Sequence, residues 1–213
     1  AMGWPAFPGT LGGAIPSLSW VDDRFELDGG LSASVFGGFV DITDLSLQQP
    51  FGATPVLTGD INLKQLDLAA ITSVFDFGGI TGPLDGSIED LRLVNWSPVA
   101  FKASLLAGGG GRISQRAVNN LTAVGGGGIA AGLQGAMLKL FKTFGYKRIG
   151  LNCTLQGTLC QMSGLESSDG GYTIVEGSGL PRLQVIGHQT QVDWPTLVRR
   201  LQDAIHGESP QIR

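Results

Sequence analysis

The sequence predicts a mainly β protein with helical insertions. We expect a curled antiparallel sheet, of the β-taco or open-barrel-like kind, with an inserted helical pair and a C-terminal helix. Apolar and polar residues alternate with period 2 over many short stretches, which is the pattern of strands with one buried face. The chain also contains 34 glycines without a collagen repeat, which suits turns and bulges. Four stretches show helical spacing instead.

Length and charge restrict the classes of protein. A chain of 213 residues with 42% hydrophobic residues can bury a substantial core, and we expect one β-rich domain over residues 1–213. The net charge of -4 provides no basic field for nucleic acid. No apolar run reaches the ~18 residues of a membrane-spanning helix, so we predict no transmembrane segment here. Ala1-Met2-Gly3 looks like a cloning remnant, so we expect a piece of a longer protein.

The N-terminal half is predicted to contain most of the sheet. Gly37-Gly38, followed by a change of strand parity, predicts a β-bulge. Asp67 is predicted to cap a short helix over 67–75. The predicted strands are 18–21, 25–27, 31–35, 40–42, 45–47, 56–63, 84–94 and 99–105.

A helical insertion is predicted over about 113–145, where the spacing of apolar residues changes toward 3.6. Ser114 is expected to cap a first helix that ends near residue 123. A second amphipathic helix is predicted over 129–144, with Gly145 as its end. Further strands are predicted at 172–175 and 183–186, and Asp193 is expected to cap a final helix over 194–205.

Both cysteines lie in one predicted hairpin, IGLNCTLQGTLCQM, over 149–162. A turn at Gln156-Gly157 would place Cys153 directly opposite Cys160, within reach of a cross-strand disulfide. Such a disulfide implies an oxidising compartment. The alternative is a pair of reduced, half-buried thiols.

No motif predicts a catalytic residue, a metal site or a cofactor. His188 and His206 lie outside any Cys/His cluster, and the nucleophile elbow Gly-x-Ser-x-Gly does not occur. The two Gly-rich runs 108–111 and 125–128 lack the Lys-Ser/Thr pair of a phosphate-binding loop, so they are better explained as flexible connections. The paired carboxylates fall at predicted turns and solvent faces.

The strands share inward faces of aliphatic and aromatic residues. These faces form either a core covered by the helices or, in part, an open groove for an acyl chain or a partner strand. The residues expected to face inward, toward lipid or core, are Leu57, Ile61, Val99, Phe101, Leu105, Ile149, Leu151 and Leu155.

Three runs resemble the C-terminal part of AsmA-like proteins, most closely the YdbH type, a relative of TamB. They are GLSASVFGGFV at 30–40, INLKQLDL at 61–68 and FGGITGPLDG at 77–86. The resemblance covers about residues 18–101 and is weaker beyond 108. It implies a periplasmic protein of a Gram-negative envelope, anchored upstream in the inner membrane. It also implies a long curled sheet that moves phospholipid toward the outer membrane.

These observations lead to a main hypothesis and a rival. The main hypothesis is a non-enzymatic, periplasmic domain whose apolar groove holds phospholipid or another acyl-chain ligand. The rival is an interaction module that docks to an envelope protein through a helix or an exposed sheet edge. An enzyme is the third alternative.

Overall fold

The protein, as a computed structural model, is described over residues 9–12, 17–126, 128–129, 141–168, 170–180 and 182–206. These ranges form three helices: α1 (Leu68–Val74), α2 (Gln115–Val124) and α3 (Trp194–His206). The strands are β1 (Gly9–Gly12), β2 (Ser17–Val21), β3 (Arg24–Asp28), β4 (Gly30–Val35), β5 (Gly38–Gln48), β6 (Val56–Asp67), β7 (Pro83–Val94), β8 (Ser97–Ala107), β9 (Gly111–Ser114), β10 (Gly128–Ile129), β11 (Thr143–Gln156), β12 (Leu159–Gly164), β13 (Ser167–Ser168), β14 (Gly171–Ser178), β15 (Gln184–Gly187) and β16 (Gln191–Asp193).

All of these strands belong to one antiparallel sheet. Its main path runs β1-β4-β5-β6-β7-β8-β11-β14-β15-β10. The pairs β2-β3 and β12-β16 branch from β5 and β11 respectively, β9 also pairs with β11, and β13 pairs with β14. The sheet does not close into a barrel. The predicted fold class, mainly β with a large antiparallel sheet and a C-terminal helix, is therefore confirmed.

Strand β11 is the junction of the sheet. On one edge it pairs with β8 and, further toward its start, with β9. On the other edge it pairs with β12 and with β14. Strands β12 and β14 pair with different parts of this second edge and then run apart. The sheet therefore splits into two arms at β11, one that contains β12 and one that contains β14.

The two arms and two helices enclose the core. Helix α2 contributes Ala117, Val118, Leu121 and Val124 to it, and α3 contributes Leu197. Tyr146 and Leu155 of β11 are almost fully buried in the same cluster. The C-terminal half is thus two layers thick, sheet on one side and helices on the other.

The N-terminal half is built differently. The buried cluster contains no described residue of β1–β6. The apolar residues of these strands are mostly half-buried, and all five residues of β2 are exposed. Among the described residues, this half is therefore a single layer that packs mainly strand against strand.

The predicted helix caps are confirmed. Asp67 accepts a hydrogen bond from the backbone N–H of Ala69 at 2.8 Å, and Ser114 accepts one from Ala117 at 3.2 Å. Asp193 accepts from the N–H of Thr196 at 3.2 Å. Each side chain satisfies an N–H group that the first turn of a helix leaves unpaired.

The bulge predicted at Gly37-Gly38 is wrong. Phe36 and Gly37 form the turn between β4 and β5, and both have positive φ. The bulge lies later in β5, between Thr43 and Ser46, where Asp44 has positive φ. A turn and a bulge both change which alternate residues of a strand face inward, so the sequence pattern alone did not distinguish them.

The second helix of the predicted pair is wrong at its described ends. Gly128–Ile129 is a strand, and residues 143–144 already belong to β11. Residues 130–140, which make up most of this prediction, lie outside the described residues, as does residue 127 before it. Gly145 lies within β11 and ends no helix.

Gly38 offers a test of how tightly two strands approach. A Cβ at Gly38 would overlap the Lys64 carbonyl oxygen and lie 2.6 Å from the carbonyl carbon and oxygen of Gln65. We expect Gly38→Ala to lower the free energy of unfolding by about 1–3 kcal/mol, because backbone atoms must shift to admit the methyl group. Urea unfolding would measure the change. The matched control is Gly79→Ala, where nothing lies within 4 Å; equal stability of the two variants would contradict this packing.

Candidate functional site: the apolar face of the sheet

One face of the sheet is apolar across many strands. Residues directly opposite one another in neighbouring strands share a face, so the strand register defines rows of side chains. One apolar row consists of Leu31, Ile42, Ile61, Ile88, Ala103, Cys153 and Met162. A second consists of Phe25, Leu47, Leu57, Leu93 and Pro98. We call the surface formed by these rows the apolar face.

The opposite face is polar in the same register. Its central row is Ser32, Asp41, Asn62, Ser87, Ser104, Asn152 and Ser163. Ser32 donates a hydrogen bond to Asp41 at 2.6 Å, and Lys64 donates another at 2.9 Å. These two donors, Ser32 first, lower the pKa of Asp41. The sheet therefore has one face suited to water and one suited to apolar groups.

The C-terminal end of the apolar face is covered. Phe101 of β8 and Trp194 of α3 meet edge to face, with ring centroids 5.2 Å apart. Trp194 is held in place because its backbone N–H donates to the carbonyl of Thr158 at 2.7 Å. Strand β16, which leads into α3, pairs with β12. We call the region over β8, β11 and β12 the covered part.

The apolar face continues beyond this cover. Ile88 and Leu91 of β7 still pack against the buried cluster. Next to them in the register, Ile61, Ile42 and Leu31 are half-buried and lie outside that cluster. No described helix lies over them. We call the region over β3–β6 the open part.

The eight residues expected to face inward divide between these regions. Phe101 and Leu155 belong to the buried cluster, and Ile149 and Leu151 pack against it. Leu57 and Ile61 lie in the open part, half-buried. Val99 and Leu105 are half-buried on β8.

Sequence reasoning missed several members of the apolar face. Phe25 contacts Trp20 with ring centroids 4.1 Å apart, and Leu47 and Leu93 extend the row of Leu57. Their alternation is visible in the sequence. The bulges in β5 and β7 change its parity, however, so these residues align only when the register is known.

Cys153 and Cys160 form a disulfide in the structure, but the predicted hairpin register is wrong. The turn is Gly157-Thr158, not Gln156-Gly157, and Cys153 lies opposite Met162 while Leu155 lies opposite Cys160. The observed partner of Cys153 lies two residues beyond the predicted one, so both cysteines still lie on the same face of the hairpin. They are diagonal neighbours with Cα atoms 5.7 Å apart, which is within the range that a disulfide spans.

A polar pocket of about 280 Å³ lies on the arm that contains β14. It is lined by Arg148, Glu166, Glu176 and Arg182 among others. Arg148 forms ion pairs with Glu166 at 3.0 Å and with Glu176 at 2.7 Å. Lys147 lies 3.5 Å from Glu176 as well. The hydrogen bond from Arg148 is the main cause that lowers the pKa of Glu176. These charges thus mainly neutralise one another.

Comparisons with known proteins give no neighbour. No protein-family model matches the chain, and neither the curated proteins nor the solved structures contain a match. Among the described helices, none has the length and apolar character needed to span a membrane.

The disulfide has a direct test. Thiol titration of the denatured protein without reductant should detect no free thiol, because both cysteines are bonded to each other. Titration after reduction supplies the control and should detect two. Two free thiols in the unreduced sample would overturn the disulfide and with it the inference of an oxidising compartment.

The Glu176 ion pair has a pH signature. Arg148→Met should raise the pKa of Glu176 toward the ordinary carboxyl value, as followed by NMR titration. In the unaltered protein, the lowered pKa of Glu176 stabilises the fold at pH values above the ordinary carboxyl pKa. This contribution is lost as the pH falls through the pKa of Glu176 in the folded state. Arg24→Met, on β3, is the control and should leave the Glu176 titration unchanged. An unaltered Glu176 titration in Arg148→Met would contradict this assignment.

Proposed function

We propose that this chain is a non-enzymatic domain that holds phospholipid acyl chains on the open part of the apolar face. The observation behind the proposal is that one apolar face continues from the covered part into half-buried rows that no described helix covers. Half-buried apolar side chains on a single sheet layer favour an apolar partner, because apolar surface left in water is unfavourable.

The mechanism we propose is passive. Each methylene removed from water contributes about 0.8 kcal/mol, so a long acyl chain gains enough to stay on aliphatic side chains such as Leu57 and Ile61. Hydrophobic contact is non-directional, so the chain can slide from row to row with little change in free energy. Because no described helix covers the open part, the headgroup can remain in water while the acyl chain moves.

The setting we propose is the periplasm, within an AsmA-like protein of the YdbH type that carries phospholipid between the inner and outer membranes. The disulfide between Cys153 and Cys160 supports an oxidising compartment. The resemblance of the runs at 30–40, 61–68 and 77–86 supports the family. Both supports are independent of the apolar face.

An interaction module is the second candidate, and one feature favours it. Strand β2 has all five residues exposed, carries no charge, and among the described strands pairs only with β3. The uncharged edge that residues 18–21 of this strand present can accept a strand from a partner. Docking through the apolar stripe of α3 is not favoured, because Leu197 is buried and Trp194 and Leu201 pack against the core.

Substitution at neighbouring positions on opposite faces tests the lipid proposal. Ile61→Glu places a carboxylate among the apolar rows, whereas Asn62→Glu places one on the exposed polar face of the same strand. Native mass spectrometry of the purified unaltered protein should show bound phospholipid. We expect Ile61→Glu to lose it and Asn62→Glu to retain it, because a charge in apolar surroundings is strongly unfavourable.

The folded state must be checked alongside. Circular dichroism and urea unfolding should show that both variants keep the fold, and the milder Ile61→Ser serves if Ile61→Glu does not. Repeated absence of phospholipid from the unaltered protein would refute the proposal. Retention of lipid by Ile61→Ser and Ile61→Glu would place the lipid elsewhere. Capture of a partner that Ser19→Pro on β2 abolishes, without any lipid, would favour the interaction module.

A further inference from the structure

Residues 18–21 of β2 form an edge of the sheet. Among the described strands, β2 pairs with β3 alone. Leu18 is 62% exposed and Val21 is 63% exposed. Natural proteins usually block an edge strand with charges, proline or a bulge, and the stretch 18–21 contains none of these. We call residues 18–21 the β2 edge.

The turn of the β2–β3 hairpin decides which backbone groups of the β2 edge point outward. The two-residue turn 22–23 has positive φ at both positions, so Val21 and Arg24 flank it as a hydrogen-bonded pair. Hydrogen-bonded and non-hydrogen-bonded pairs alternate along two antiparallel strands. The N–H and C=O groups of Leu18 and Trp20 therefore point away from β3, toward the edge.

The side chains of the β2 edge divide between the two faces of the sheet. Trp20 lies opposite Phe25 and Leu18 lies opposite Leu27, so both extend the apolar face by one strand. Trp20 contacts Phe25 edge to face and is still 45% exposed. Ser19 lies between them on the polar face. The two residues whose backbone groups point outward are thus the two whose side chains extend the apolar face.

The hairpin that carries the β2 edge is held in place by its neighbours. The backbone N–H of Gln49 donates to the carbonyl of Asp23 at 2.8 Å, which fixes the tip of the hairpin. Strand β3 pairs with β5 over residues 24–26. Because the edge is already ordered, a further strand can pair with it at little cost in conformational entropy.

We propose that the β2 edge pairs with the β2 edge of a second copy of this chain, antiparallel and symmetric about Ser19. This register places Leu18 of one copy opposite Trp20 of the other, twice. The outward backbone groups then meet each other, and both Leu–Trp contacts lie on the apolar face. A register centred on Trp20 would instead place Leu18 opposite Asp22, which sets an apolar side chain against a carboxylate.

A second copy fits the β2 edge better than an unrelated strand does. The stretch 18–20 reads apolar, polar, apolar in both directions, as a contact between identical surfaces requires. The twofold axis through Ser19 stands perpendicular to the sheet, so the apolar faces of both copies lie on the same side. No charge within 18–21 repels its counterpart. A pairing this short buries less than the roughly 1,200 Å² of the smallest stable interfaces, so we expect a weak dimer.

An engineered disulfide tests the register. Ser19→Cys places a thiol at the centre of the pair, where opposing Cα atoms lie about 4.5 Å apart, within the range that a disulfide spans. We expect a covalent dimer under oxidising conditions, seen on a gel without reductant. The matched control is Val21→Cys on the same face, which should stay monomeric because its counterpart would lie about 14 Å away. Peptide mapping should find the bond between Cys153 and Cys160 intact in both variants.

Sedimentation equilibrium gives a second measurement. The unaltered chain should form a dimer that depends on concentration. Leu18→Pro should raise the dimer Kd at least about tenfold, because each copy loses a hydrogen-bond donor that points outward. Circular dichroism should show that Leu18→Pro keeps the fold, since the lost N–H does not pair with β3.

The outcomes separate this inference from the proposed function. A monomeric unaltered chain, or equal cross-linking of Ser19→Cys and Val21→Cys, would overturn the inference. A foreign strand or another segment of this chain on the β2 edge would leave Ser19→Cys monomeric, which also overturns it. The inference does not rest on lipid binding, so Ser19→Cys should still cross-link when combined with Ile61→Glu.

Discussion

The pairing of β11 on both of its edges is the constraint on which the rest of the structure depends. Its fourteen residues hold β8 and β9 on one side and β12 and β14 on the other. On the second edge, β12 and β14 pair with different stretches of β11, and the sheet divides there into two arms. The space between the two arms is then filled by α2 and α3, which completes the only two-layered region among the described residues.

The core packing that stabilises the protein and the apolar surface that stays accessible consequently lie in different halves of the chain. The buried cluster needs both arms and both helices, so its packing energy lies in the C-terminal half. The N-terminal strands are stabilised mainly by backbone pairing to their neighbours, with β6, β7 and β8 linking them to the core. A layer supported in this way can leave one face uncovered without losing the fold.

The sequence could predict most strands but not how they align. Period-2 alternation identified β2 to β8, β11, β12, β14 and β15, and side chains able to cap identified the starts of the three described helices. The error at residues 143–144 has a physical reason. Phe144 suits a helical stripe with Phe141, but it also alternates with Tyr146, and both are buried on one face of β11. Pairing with β9 decides in favour of the strand, and the partner residues in β9 lie about thirty positions away in the sequence.

The candidate site shows the same limit. Leu57 and Ile61 were expected to face inward, whereas Leu47 and Leu93 were missed because bulges at Asp44 and Asp90 reset the parity of their strands. Whether an inward residue meets core or solvent depends on which strands the helices cover. That is set by the position of α3, which strand β16 ties to the cysteine hairpin. No local pattern contains this information.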